Sequence, residues 1–150
     1  MRKLGVIECG YLWDDVYIEI IGDGKHLPPE LLQLIFKLKP NDKIILVSDS
    51  LKVAGSNEKY SSVGNVKCII EDGVCKLLDR SAFAGSIASG NSLIKSCVKA
   101  GIELSKVINA FALNPSKLLG ISCGKIERGY TSDFVVLDDE FNVKNVILQG

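Results

Sequence analysis

An excess of charge of either sign is what this 150-residue chain most plainly lacks: 18 Lys and Arg face 18 Asp and Glu. That balance leaves no broad basic field, and so excludes a nucleic-acid or anionic-lipid binder working by bulk electrostatics. Long apolar runs are also missing, and none approaches the roughly 18 residues of a membrane-spanning helix. The first fifteen residues, MRKLGVIECGYLWDD, carry early charge but neither a signal-peptide apolar stretch nor a small-residue cleavage site, so a cytoplasmic location is expected. No C-x-x-C pair occurs. The five cysteines (Cys9, Cys68, Cys75, Cys97 and Cys123) are odd in number and widely spaced. They read as small buried thiols rather than as a disulfide frame or zinc knuckle. Histidine occurs once, at His26. Internal repeats, low-complexity tracts and linkers are absent as well.

What is present is a globular composition, 47% apolar and 24% charged, in a chain long enough for one ordinary domain with its own core. Residues 16–21 (VYIEII) are β-branched and mostly apolar, as a buried parallel strand should be. Pro28 and Pro29 suit a helix start, and residues 30–39 carry a wide apolar face before Pro40-Asn41-Asp42 breaks the pattern. Residues 43–47 (KIILV) form a second apolar strand, which completes a βαβ unit. Residues 66–70 and 74–78 flank an Asp-Gly turn and predict a hairpin. Helices are expected at 89–100, ended by Gly101, at 106–113 with Ser105 as N-cap, and from Asn114-Pro115 to Gly120. Residues 134–137 and 143–148 close the chain as a pair of strands.

This order is awkward for a freestanding domain, because two or three parallel strands leave open edges and an uncovered face. It suits the last portion of a larger βα-barrel with a small β-domain attached. The face of strands 16–21 and 43–47 would then be exposed in a monomer. Wet Ile and Val side chains cost about 1.5–3 kcal/mol each, so a dimer or higher homo-oligomer is expected.

A series of motifs narrows this reading. Asp23-Gly24-Lys25-His26 follows the first strand, and Leu46-Val47-Ser48-Asp49-Ser50 ends the second. Ala84-Gly85-Ser86, Asn114-Pro115-Ser116-Lys117-Leu118-Leu119-Gly120 and the stretch from Gly124 to Asp138 (GKIERGYTSDFVVLD) come after them. In this order and at these distances the sequence resembles the N-acetylglucosamine-6-phosphate deacetylases of the amidohydrolase superfamily, over their C-terminal portion only. The fold class that the resemblance implies is α/β. Residues 1–120 would be the C-terminal part of a (β/α)8 TIM-like barrel, about two to three βα units with the hairpin near 66–78. Residues 121–150 would be strands of the accessory β-domain. A complete barrel takes about 250 residues, more than this chain has.

The resemblance also assigns roles. Asp49, at the end of an apolar strand, matches the aspartate that takes a proton from the attacking water and returns it to the departing amine. Position alone leaves an ordinary loop aspartate equally open. His26 matches the histidine that contacts the amino-sugar phosphate, sometimes in a neighbouring subunit's site. Arg2 matches a phosphate-binding arginine in an R-E-P-G segment, although Lys3-Leu4 replace Glu-Pro here. Phe83, Ala84 and Gly85 match the loop lining the sugar pocket, with Phe83 where the family tends to carry leucine. Ser48 and Ser50 stand where Thr and Ala are usual. A plain turn is the alternative for that loop, and a solvated side chain for the histidine. The family's divalent metal, zinc by resemblance, is held by a glutamate and two histidines upstream of the matched region. A chain with one histidine cannot supply that set and is expected to bind no metal alone. The implied partners are a small amino-sugar phosphate and a complementary N-terminal half-chain, with no nucleic acid and no membrane. The competing expectation is a truncated, non-catalytic module that self-associates or binds a sugar phosphate.

Overall fold

In the computed structural model, residues 3–148 are described. Helix α1 (Val6–Leu12) comes first, followed by β1 (Ile18–Ile21), α2 (Pro29–Leu38) and β2 (Ile44–Val47). Then come four short strands, β3 (Tyr60–Val63), β4 (Val66–Glu71), β5 (Val74–Leu77) and β6 (Phe83–Gly85). Helices α3 (Gly90–Lys99), α4 (Leu104–Ile108) and α5 (Asn114–Leu119) precede the closing strands β7 (Phe134–Leu137) and β8 (Val143–Ile147).

β1 and β2 pair in parallel, Ile18 opposite Ile44 through Ile21 opposite Val47. α2 supplies the crossover. Pro29 sits in its first turn, where a missing N–H costs nothing, and Leu32, Ile35 and Phe36 line its buried face. Those three pack with Ile20, Ile44 and Leu46 of the strands and with Leu93, Ile94, Cys97, Val107 and Ala110. One face of the parallel pair is thus covered by helices, the two-layer arrangement that an amphipathic βαβ pattern demands. Asn114, buried at the start of α5, ties that helix to the strand by donating from Nδ2 to Asn41 O (2.7 Å) and Ile44 O (2.8 Å). Gly120 ends α5 with φ +67°, and Ile121 N–H reaches back to Ser116 O.

The expected hairpin is present as β4 and β5, but as the middle of a four-stranded antiparallel sheet ordered β3-β4-β5-β6. A parallel bridge between Ser50 and Ser86 joins this sheet to the end of β2. The bridge is reinforced by Leu51 N–H donating to Ser86 O at 2.9 Å and by Ser50 Oγ donating to Ala88 O. Ile45, on the other face of β2, is only 4% exposed, and Val53, Cys68, Val74 and Cys75 are buried outside the helical core. The expectation of a wet strand face is therefore corrected for β2, whereas Glu19 of β1, opposite Ile45 on the same face, is exposed.

Exposed apolar surface lies elsewhere. α1 buries none of its residues, and Val6 is 91% exposed. It is held by Lys39, whose buried ammonium donates to Gly10 O and Trp13 O at 2.6 Å each. Between α1, β1 and α2 runs an apolar groove of about 770 Å³. The β7–β8 ribbon leaves Val135, Val136, Val143 and Val146 exposed.

Most boundaries shift by a residue, and two differ more informatively. β1 covers 18–21 rather than 16–21, because its partner strand offers only four residues. The helix expected from Ser105 starts at Leu104 with Glu103 as N-cap, and the Ser105 hydroxyl bonds the Glu103 carboxylate. Residues Asn109–Leu113 wind as a π-helical turn that links α4 to α5. Among the described residues no helix is long and apolar enough to cross a membrane.

Candidate functional site

Because β1 and β2 are parallel with Ile21 opposite Val47, the loops that follow them leave from the same end of the sheet. Residues after parallel strands are where α/β enzymes place reactive groups. Asp49 is two residues past β2, with φ +47°. Asp tolerates this left-handed conformation better than most side chains do, yet it remains a conformation that surrounding structure must hold. Here the holding comes from the Ser50–Ser86 bridge immediately after it. Asp49 is exposed, and its carboxylate has no hydrogen-bonding or ionic partner among the described residues. Such a group is free to accept a proton from a ligand or a water.

His26 sits on the β1 loop, built on an Asp23-centred turn. Asp23 Oδ1 accepts from the N–H groups of Lys25 and His26, both at 2.9 Å. Its Oδ2 meets His26 Nδ1 at 2.8 Å. The Asp23 side chain is 4% exposed and that of His26 19%. Burial alone would raise the Asp23 carboxyl's pKa. The N–H groups of His26 and Lys25, together with the imidazole, outweigh burial and hold it below the ordinary value. Gly24, at φ +70°, lets the chain turn here, and Ser96 on α3 braces the loop by donating to Asp23 O at 3.3 Å.

Phe83 meets His26 edge to face, with ring centroids 5.1 Å apart. Ala84 and Gly85 are half-buried behind it. Gly85 has φ +149°, and a Cβ there would lie 2.9 Å from Leu51 Cδ2. The position therefore demands glycine. The turn of the β4–β5 hairpin reaches the same loop, where a Cβ on Gly73 would be 3.9 Å from Lys25 Cε.

His26 and Phe83 are thus in contact, and Asp49 and Gly85 flank the Ser50–Ser86 bridge at the same end of the sheet. Arg2 lies outside the described residues. Asp23 stood in the motif that ends at His26, but the sequence alone gave it no role. Its signal was an Asp three positions ahead of a histidine, across a glycine, a spacing that suits a side-chain-capped turn.

Whether this donor set fits a divalent cation can be tested directly. Among the described residues no three His, Cys, Asp or Glu side chains come together as a metal site. The sole imidazole already has one nitrogen committed to Asp23. Zinc asks for three protein ligands or more, so the groups present do not fit one.

Residues 12–150 match the amidohydrolase family, and the chain belongs to that family. Within it the likeness is to N-acetylglucosamine-6-phosphate and N-acetylgalactosamine-6-phosphate deacetylases. The human N-acetylglucosamine-6-phosphate deacetylase is 26% identical over 138 residues, which covers 90% of this chain and 34% of that protein. The crystal structure of the Thermotoga maritima N-acetylglucosamine-6-phosphate deacetylase superposes with a TM-score of 0.88 at 33% identity, over 97% of this chain and 40% of that one. The Pasteurella multocida enzyme of the same name gives a TM-score of 0.92 at 26% identity, over 99% and 39%. The chain therefore spans about 34 to 40% of the length of these relatives. Its α/β architecture is that of its structural neighbours.

Proposed function

We propose that this chain supplies the acid–base and substrate-contacting part of an amide hydrolase that removes acetate from N-acetylglucosamine 6-phosphate. The observation that carries this is the placement of Asp49. It is an unpartnered carboxylate on a constrained left-handed residue, at the end of the sheet where His26 also emerges. In amide hydrolysis one carboxylate can take a proton from the attacking water and deliver it to the leaving nitrogen, a service worth about 10²–10⁴-fold in rate. His26 would contact the phosphate, and Phe83, Ala84 and Gly85 would line the sugar pocket, with Arg2 as a second phosphate contact.

Under this reading residues 1–120 are the C-terminal βα units of a (β/α)8 barrel and residues 121–150 belong to an accessory β-domain. The metal-holding residues would come from structure outside this stretch, since its own donors do not fit a cation. The bare faces of α1 and the β7–β8 ribbon are surfaces that such further structure would cover.

The test is complementation. The chain is assayed for acetate release from N-acetylglucosamine 6-phosphate alone, and mixed with the N-terminal three-fifths of a related deacetylase in the presence of zinc. No turnover is expected alone, and measurable turnover is expected in the mixture. Asp49→Asn should reduce that turnover by at least about 100-fold, while stability shifts by less than about 0.5 kcal/mol because Asn tolerates the same backbone. An inactive mixture, or turnover indifferent to the Asp49 change, would reject the assignment.

A further inference from the structure

The Asp23–His26 pair is asymmetric. Asp23 Oδ1 is saturated by two backbone N–H groups, and only Oδ2 faces the imidazole. A carboxylate can only accept, so the proton between them belongs to His26 Nδ1. Nε2 has no partner among the described residues, and Phe83 closes on the ring from the edge. The histidine's outward face therefore consists of one nitrogen.

We infer that Asp23 is the positioning residue for His26: it fixes the ring, holds the Nδ1 proton, and leaves Nε2 as the single ligand-facing atom. The ligand class comes from the proposed function, and that state suits it. A neutral ring offers Nε2 as an acceptor for a hydroxyl. A protonated ring, its charge balanced by Asp23, offers Nε2–H to a phosphate oxygen, and a phosphomonoester of a polyol carries both groups. The other charged groups near the loop are Lys25, which lies against Gly73, and Asp72 at the hairpin turn, itself paired with Lys76 at 2.5 Å. Ser96 braces the loop from α3 through the Asp23 carbonyl without touching the imidazole. None of these groups offers His26 Nδ1 a second acceptor.

The role of Asp23 stands on geometry alone, whereas the ligand class rests on the proposed function. The experiment separates them. Long-range ¹H–¹⁵N NMR on the ¹⁵N-labelled chain reports which imidazole nitrogen carries the proton when the ring is neutral. The wild type should show the Nδ1–H form. Asp23→Asn is the informative variant. Its amide oxygen must stay on the two backbone N–H groups, which turns the NH₂ toward Nδ1 and should switch the neutral ring to Nε2–H. A side chain that merely held the turn would leave the tautomer unmoved by this isosteric change. A wild-type ring that is not Nδ1–H, or an unchanged tautomer in Asp23→Asn, overturns the assignment.

Titration with glucosamine 6-phosphate, followed at the His26 ring signals, then reads the ligand. Affinity should fall about tenfold in Asp23→Asn. If the tautomer switches as expected but neither form binds the sugar phosphate, the positioning role stands and the phosphate-contact reading falls.

Discussion

At the scale of single residues, two positions show how the backbone is committed to the candidate site. Gly85 combines a backbone angle reserved for glycine with the Leu51 side chain against its missing Cβ. Gly85→Ala should cost about 2 kcal/mol in urea unfolding. Adding Leu51→Ala should recover the steric part, so that the double variant is less destabilised than the sum of the two singles. Asp23 makes a pH prediction. Its folded carboxyl is held below the ordinary value, so the native state keeps it ionised where the unfolded chain takes up a proton. The stabilisation it brings is complete above a pH of about 4 and is lost as pH falls through the folded value. Unfolding midpoints of wild type and Asp23→Asn, measured from pH 7 downward, should converge on the acid side. A gap that stays constant with pH would contradict the bonding described.

At the scale of elements, the sequence was most readable where periodicity was strong. The β1–α2–β2 unit and the β4–β5 hairpin follow from apolar runs, a proline pair and an Asp-Gly turn, and the structure places them where those signals put them. The elements that escaped are short or atypical. α1 spans seven residues and has no buried face, so it shows no amphipathic stripe. β3 is a polar edge strand, Tyr-Ser-Ser-Val, and β6 has only three residues, one of them glycine. Both gain their conformation by pairing with β4 and β5, and that information is not local. The same holds for the site. Asp49 and His26 were visible as motif residues, but the Ser50–Ser86 bridge, the Phe83 contact and the acceptor role of Asp23 depend on segments distant in sequence. Asn114 is the element-scale joint most open to testing, since its side chain bonds the buried start of α5 to Asn41 and Ile44. Asn114→Leu strips two carbonyls of their donor, and a loss of about 2–4 kcal/mol is expected from denaturant midpoints. A loss below about 1 kcal/mol would mean that water takes over those bonds.

At the scale of the whole molecule, the distribution of apolar surface governs association. β2 is covered, whereas α1, the groove beside it and most of the β7–β8 ribbon are not. Two-stranded ribbons are marginal when isolated, and this one is fastened to the core side chiefly through its turn. Asn91 Nδ2 donates to Phe141 O at 3.0 Å, and Lys95 pairs with Glu140 at 3.2 Å. Sedimentation velocity should therefore show the purified chain as a dimer or larger, with added complementary polypeptide competing for that self-association. A monodisperse monomer that leaves these side chains in water would count against it. The Ser50–Ser86 bridge adds one more consequence. It stitches two independently built layers together beside the carboxylate proposed for proton transfer, so Asp49 stands on a seam rather than on either fabric. Any change that slackens the antiparallel layer, even at its far hairpin, would be transmitted to that seam and would tilt the acid from its aim while every residue around it stayed in place.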